Sequence, residues 1–502
     1  MQIWNPYSSD PIRDTPPLAR PRATIAIWLL CFSITLLYIL SMPPWTESDT
    51  ANLIVYFNMF IKGRHLATDA GTVPQLLPIL VDGILWNLAP HVRVLQLASA
   101  TAFATALTCA VVAVSRLAGA LAGCLALAGI LSSTRIMLIV MWGRSPVWAF
   151  LLLSIALLLF LRHPATEKRM HLILLLSLGA VCCRTDLIGL HGMLTALAVL
   201  DAASGRHWTR MLRLSLWGLG LLVPPVTDLI VAGTPFYTRL VNVYFGETRE
   251  AYHMAMHGHG VPMPPRPASL ALIRRGMRVP GHLFAYSYGL LAIPALVVFW
   301  HRSRKAAGAV LLITFSIALP GIVLALNGFY AARSFILLHA VLALLSAIGT
   351  TTLIEILCRN RRRALAAGLA IACAVMLLHA PAWRDHVRNT RKQAVEFHRH
   401  DRLAQRLAAL PEPLVPPLIV EPPYLRFLYM LRLDLEHGEV ISKYDLAHRL
   451  YNGVRLPETL TWIASEPPEA RLPFVEIKAA DKLLEHEGIM VTTCHLGAIK
   501  AK

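Results

Sequence analysis

A succession of long apolar runs, separated by short stretches rich in arginine, constrains this chain more than any other feature. Several runs match the ~20 residues that a helix needs to cross the hydrocarbon core of a bilayer. Hydrocarbon offers the backbone no hydrogen-bond partner, so such runs are expected to be helical. The composition agrees: 56% of the 502 residues are hydrophobic and 15% are charged, with a mean hydropathy of +0.55. A soluble domain carries about a quarter of its residues as charges. The first run, 23–40, follows a polar segment holding Arg13, Arg20 and Arg22 and ends in Met42-Pro43-Pro44 without a small-residue cleavage site. That is the pattern of an uncleaved membrane helix.

The net charge of +18 would suggest a nucleic-acid partner in a soluble protein. Here much of it lies in short loops, where it sets topology, and no nucleic acid is expected. Basic clusters fall at 13–22, 116, 162–169, 206–213, 302–305 and 359–363. Placing all of them in the cytoplasm predicts eleven spans, at 24–42, 95–115, 118–140, 146–161, 170–183, 186–201, 214–232, 281–300, 306–326, 334–357 and 364–380. The N-terminus is then inside and the C-terminus outside. Residues 73–88 contain Pro74, Pro78 and Asp82 and are read as a re-entrant or interfacial helix. The expected organisation is a cytoplasmic segment 1–23, a transmembrane module 24–380 with outer loops 43–94 and 233–280, and an outer domain 381–502. That tail mixes strand-like runs at 418–420 and 489–491 with helical stretches after Trp383 and Ala479, which predicts a small α/β domain. Cys31, Cys109, Cys124, Cys182, Cys183, Cys358 and Cys373 lie in or beside apolar runs, and only Cys494 is in the tail. No disulfide framework or zinc spacing is present.

Glu47 and Asp49 follow the first span directly, an address that holds both carboxylates at the membrane surface. The run continues Ser48-Asp49-Thr50-Ala51-Asn52, then the aromatic-rich stretch to Phe60, then Lys62-Gly63-Arg64-His65. Further along stand Arg184-Thr185-Asp186-Leu187, Gly233-Thr234-Pro235-Phe236-Tyr237-Thr238 and Tyr330-Ala331-Ala332-Arg333. In this order the chain resembles the polytopic GT-C type glycosyltransferases that use lipid-linked sugars, in particular bacterial terminal arabinofuranosyltransferases. Asp49 falls on the second acid of the family's Asp-Asp pair and Gly63 on its glycine. Ser48 replaces the first acid, with Glu47 one position earlier. The family's acid before the fourth span is missing, since the chain reads Gly143-Arg144-Ser145-Pro146.

The resemblance implies a mainly α, polytopic helix bundle with a small C-terminal periplasmic α/β domain, in a bacterial inner membrane. It implies an inverting transfer of a sugar from a polyprenyl-phosphate donor to a periplasmic glycan, lipid or protein. The donor sugar would be a pentose such as arabinofuranose, or a hexose. Asp49 would be the general base on the acceptor hydroxyl and Glu47 its helper or an acceptor contact. Guanidinium groups suit a phosphate leaving group because they meet it bidentately, and Arg184, Arg239, Arg249, Arg274, Arg275 and Arg333 are the candidates. Contact with lipid head groups explains the same arginines of the 233–280 loop equally well. Asp186, Tyr237, Thr238 and His65 are candidate substrate contacts, and Arg184 with Asp186 also reads as a structural ion pair. His253, His257 and His259 have the spacing of a weak metal site, so a divalent cation is the one cofactor the chain suggests. A transporter or flippase of a lipid-linked substrate is the main rival reading, and a non-catalytic scaffold a third.

Overall fold

The computed structural model describes residues 17–499 apart from 43, 45–47, 63–74, 143–144, 162–165, 233–283, 303, 327–334, 359 and short stretches between 413 and 473. The chain divides into two compact units. The first comprises residues 1–42, 95–224 and 267–389, and the second residues 43–94, 225–266 and 390–502.

The first unit is helical. Its elements are α1 (Pro21–Leu40), most of α4 (Val92–Ala118), α5 (Ala120–Leu131), α6 (Thr134–Trp142), α7 (Ser145–Phe160), α8 (Glu167–Cys183), α9 (Ile188–Ser204) and α10 (Trp208–Ser215). After residues 233–283 it continues with α12 (Phe284–Arg302), α13 (Arg304–Leu326), α14 (Ile336–Leu357) and the first part of α15 (Arg361–Ala408). Helix α1 opens on Pro21, whose missing N–H costs nothing at a first helical position. Helix α8 is capped by Thr166, whose hydroxyl accepts from the Arg169 amide at 3.4 Å, with Glu167 in its first turn. Among the described residues, five helices are long and apolar enough to cross a membrane, or six if one bent pair forms a single span. The protein is a multi-pass membrane protein with several apolar helices and a small C-terminal sheet.

Two predicted spans are not single straight helices. The stretch predicted at 118–140 is α5 and α6, bent by 72° at the break. The break is buried: Ser132 is fully enclosed and its carbonyl accepts from the Trp383 indole at 3.2 Å. A broken helix survives in an apolar surrounding only where a neighbour takes the freed backbone groups. The stretch predicted at 214–232 is divided into the end of α10, a 3-10 segment Leu216–Leu222 and α11 (Val223–Ala232). Gly218 and Gly220 favour the tighter turn, and Pro224 and Pro225 set the start of the next helix. Gly220 also sits under His191, whose Nε2 would lie 2.7 Å from an added Cβ.

A third expectation fails at Pro381, where the last span was to end at 380. Helix α15 instead runs on for 48 residues with Pro381 inside it, about 70 Å at ~1.5 Å per residue. Beyond the proline the chain buries Thr390, Ala394, Phe397, His400, Leu403, Ala404 and Leu407. This helical spacing continues the element past the single lost hydrogen bond.

The second unit holds α2 (Ser48–Ile61), α3 (Leu76–Leu88), the end of α15, α16 (Arg426–Leu433) and one five-stranded sheet. Helix α3 covers most of the segment read as re-entrant or interfacial. At 13 residues it is about 20 Å long, short of the ~30 Å hydrocarbon core. The strands are β1 (Leu418–Val420), β2 (Val440–Ile441), β3 (Thr459–Ala464), β4 (Val475–His486) and β5 (Ile489–Ile499), in the order β2-β1-β3-β5-β4. β1 pairs with β2 and β3 in parallel, while β5 runs antiparallel to β3 and β4. Trp462, Phe474, Leu460 and Ile419 form the centre of its core. The stretch after Ala479, expected to be helical, is the middle of β4. Ala479, Ala480, Lys482 and Leu484 favour helix, but pairing with β5 along the whole hairpin overrides that preference.

Helices α12 and α14 pack against each other at Gly349, where an added Cβ would lie 2.0 Å from the Leu291 carbonyl oxygen. Small residues at such crossings let two helix backbones approach closely. Gly349→Ala is expected to destabilise the protein by about 1–3 kcal/mol through overpacking. Gly308→Ala in α13 meets nothing within 4 Å and is expected to be neutral or slightly stabilising. Thermal unfolding in detergent checks both, and equal midpoints for the two variants would contradict the close crossing.

Candidate functional site

Asp49 is the second residue of α2. It therefore lies in the first turn of that helix. The helix is anchored through its middle: Leu53, Ile54, Val55, Tyr56 and Phe57 are all buried. It packs against α3 and α16. On the α3 side the Phe57 ring lies over Gly83, where an added Cβ would stand 2.1 Å from Cγ. The Asn87 side-chain amide donates to Asn58 Oδ1 at 3.0 Å and to the Gly83 carbonyl at 2.8 Å. Just past the helix, Lys62 forms an ion pair with Asp434, the left-handed C-cap residue of α16.

Helix α16 is in turn fixed to the end of α15. Tyr429 Oη and His400 Nδ1 are hydrogen-bonded at 2.7 Å with their rings edge to face. Arg432 donates to Asp401 through Nε at 2.7 Å and Nη2 at 3.2 Å. One residue further along α15, Arg402 donates to both oxygens of Glu487 at 3.0 and 2.7 Å, at the β4–β5 turn. Burial pushes the His400 imidazole down to about 4. Burial first, and then the Asp401 charge, hold the Tyr429 hydroxyl well above its ordinary value. The two groups therefore meet as a neutral pair. The helix that carries Asp49 is thus supported by side chains more than 350 positions later in the chain. A reacting group held on such a braced helix keeps its geometry better than one on a loop.

Arg184 and Asp186 form a second, separate constellation in the first unit. Arg184 caps the C-terminus of α8 in an extended conformation, and Asp186 sits in the 3-10 turn Thr185–Leu187. Arg184 Nε donates to Asp186 Oδ1 at 2.9 Å, and Nη2 makes a second bond to Oδ2. Arg184 is 9% exposed. The structural ion pair is thus present, and it uses one edge of the guanidinium while the other N–H groups point elsewhere.

The remaining candidates, Glu47, His65, Tyr237, Thr238, Arg239, Arg249, Arg274, Arg275 and Arg333, lie outside the described residues. So do His253, His257 and His259, and among the described residues no group of three or more His, Cys, Asp or Glu could hold a metal ion. Sequence reasoning missed His400, Asp401, Tyr429 and Arg432. The i,i+3 spacing of Tyr429 and Arg432 places them on one helix face, but nothing local names partners about thirty residues away.

The His400–Tyr429 pair makes the α15–α16 junction sensitive to acid. His400 is held below its ordinary value of 6.5, so between about pH 6.5 and 4 the unfolded chain binds a proton that the folded chain does not. Its contribution is complete above about pH 6.5 and is lost as pH falls to about 4, on the order of 3 kcal/mol in all. Amide exchange of residues 426–433 is expected to lose protection from pH 7 to pH 4.5, and His400→Gln to flatten that dependence. Constant protection in the unaltered protein over this range would rule the mechanism out.

No family model matches the chain, and no curated protein matches its sequence. Solved structures do share its fold. ArnT from Cupriavidus metallidurans bound to undecaprenyl phosphate aligns with a TM-score of 0.58 at 13% identity, covering 95% of this chain and 98% of that one. The apo state of the same protein gives 0.55 at 12% identity over 93% and 98%. The archaeal oligosaccharyltransferase AglB from Archaeoglobus fulgidus, in complex with an inhibitory peptide and a dolichol-phosphate, gives 0.51 at 12% identity over 88% and 69%. Nearly the whole chain therefore has a GT-C-like membrane fold.

Proposed function

We propose that the chain is a membrane glycosyltransferase that takes a sugar from a polyprenyl-phosphate donor. The observation that carries this reading is the position of Asp49 in the first turn of a braced helix, within a fold shared end to end with a structure bound to undecaprenyl phosphate. The acceptor oxygen attacks the anomeric carbon while Asp49 takes its proton. The bond from that carbon to the phosphate oxygen breaks, and the lipid phosphate leaves with the electron pair. Attack opposite the leaving group inverts the anomeric centre. Glu47 would assist Asp49 or contact the acceptor.

The leaving phosphate gains charge in the transition state, and preorganised guanidinium groups are the chemistry that stabilises it. Arg184, oriented by Asp186, would offer its remaining N–H edge. Arg239, Arg249, Arg274, Arg275 and Arg333 would supply the rest of the grip, with Asp186, Tyr237, Thr238 and His65 contacting sugar or acceptor. The basic-loop topology favours an outer, periplasmic site in a bacterial inner membrane. A pentose such as arabinofuranose or a hexose, passed to a periplasmic glycan, lipid or protein, fits the same machinery.

Asp49→Asn is expected to lower sugar transfer by about 10²–10⁴-fold, the usual contribution of a general base, while membrane insertion is kept. Glu47→Gln is expected to cost about tenfold or less. The assay is transfer in vesicles supplied with a polyprenyl-phosphate sugar, and full activity of the Asn variant would remove Asp49 from this role.

A further inference from the structure

Helix α15 differs from most of the apolar helices in how little of it is covered. Only 17% of its apolar stretch is buried, against 72% for α4. One face does have partners. His379 is buried, the Trp383 indole donates to Ser132, and Tyr38 Oη meets His386 Nε2 at 2.5 Å while packing edge-on against Trp383. A different face, turned by roughly a third of a turn or more, is open from end to end. It carries Ala366, Ala370 and Leu377, all exposed, with Leu377 at 73%. Two and three turns beyond Leu377 it carries Arg384 and Arg388, both exposed.

An open groove of about 650 Å³ lies where the two parts of this face meet, lined by Leu377, Ala380, Pro381, Arg384, Asp385 and Arg388. Its first half is hydrocarbon and its second half is cationic, with Asp385 at the edge. Neither arginine makes an ion pair or hydrogen bond among the described residues. An apolar stem joined to an anionic head is the complementary shape and charge.

We propose that this groove binds the phosphate head group of an anionic bilayer phospholipid, with its acyl chains along Leu377 and Ala370. Arg384 and Arg388 are spaced one turn apart and can share one phosphate diester. Among the described residues its lining comes from a single helix, and it does not rest on the glycosyltransferase reading. It serves to seat the emerging helix α15 at the membrane surface, where a long rigid rod leaves the hydrocarbon.

The test is native mass spectrometry of the full chain in dodecyl maltoside with equal amounts of dioleoylphosphatidylglycerol and dioleoylphosphatidylcholine. The unaltered protein is expected to retain the anionic lipid preferentially, and added salt should weaken that lipid alone. Each basic residue near an anionic surface contributes about a fivefold attraction, so R384A/R388A should weaken phosphatidylglycerol binding roughly 25-fold. Phosphatidylcholine retention should be unchanged, and R384K/R388K should keep most of the preference. Equal retention of both lipids by the unaltered protein would overturn the proposal, as would a preference that survives R384A/R388A. Displacement by an equal concentration of inorganic phosphate would overturn it in favour of a free-phosphate site. A dimer that R384A/R388A splits without altering lipid retention would identify the face as a subunit contact instead. If the alanine variant does not fold, the lipid preference and salt dependence of the unaltered protein still decide.

Discussion

Peptide groups that enter hydrocarbon must find their partners within the protein, and this requirement orders the rest of the first unit. Where α1, α4 and α14 run unbroken, each helix satisfies itself. Where the chain breaks, a side chain completes the backbone: the Trp383 indole takes the Ser132 carbonyl between α5 and α6. His191, fully buried in α9, is placed the same way, meeting Ser177 Oγ at 2.7 Å and the Trp217 carbonyl at 2.9 Å. The Trp217 carbonyl belongs to the 3-10 segment, so the histidine answers a backbone group that the tighter turn leaves exposed. Some buried polar residues of this unit thus mark departures from regular helix. Arg184 and Asp186, at the junction of α8 and α9, fit the same pattern and still leave guanidinium N–H groups for a ligand.

The second unit solves a different problem, that of holding a short helix that carries a candidate base. Helix α2 has 14 residues, close to the length at which an isolated helix is marginal in water. Its stability comes from the buried run Leu53–Phe57 and from α3 and α16 on either side. Helix α16 is shorter still and is held by Tyr429 and Arg432 against α15. The neutral His400–Tyr429 pair avoids a buried charge, whereas the Arg432–Asp401 and Arg402–Glu487 pairs lie nearer to solvent. The uncharged His400–Tyr429 pair sets structure, and the proposed proton transfer is left to Asp49.

Much of the architecture was legible because hydrophobic run length and residue alternation are local quantities. The helix after Trp383, the strands at 418–420 and 489–491, and the short helix within 73–88 all follow from patterns a few residues wide. The misread elements depend on partners that such patterns do not contain. The bend at Ser132–Ser133 needs an indole from position 383. Pro381 reads as a helix end, yet the buried stripe from Thr390 to Leu407 carries the helix onward. The stretch after Ala479 has helical composition, and only the β5 strand beside it makes it extended. Asp49 stands out through its address behind the first span, while the groups bracing its helix have no sequence signature.

By itself, the sequence determined that this is a polytopic membrane protein, that acids follow its first span, and that a mixed α/β region closes the chain. Those features depend on composition and on spacing along the chain, which a linear pattern records. Only the tertiary structure decided that Arg184 meets Asp186, that His400 meets Tyr429, and that one face of α15 stays open between hydrocarbon and two arginines. Each of those depends on which surfaces the folded helices cover, and burial is a property of neighbours in space rather than in sequence.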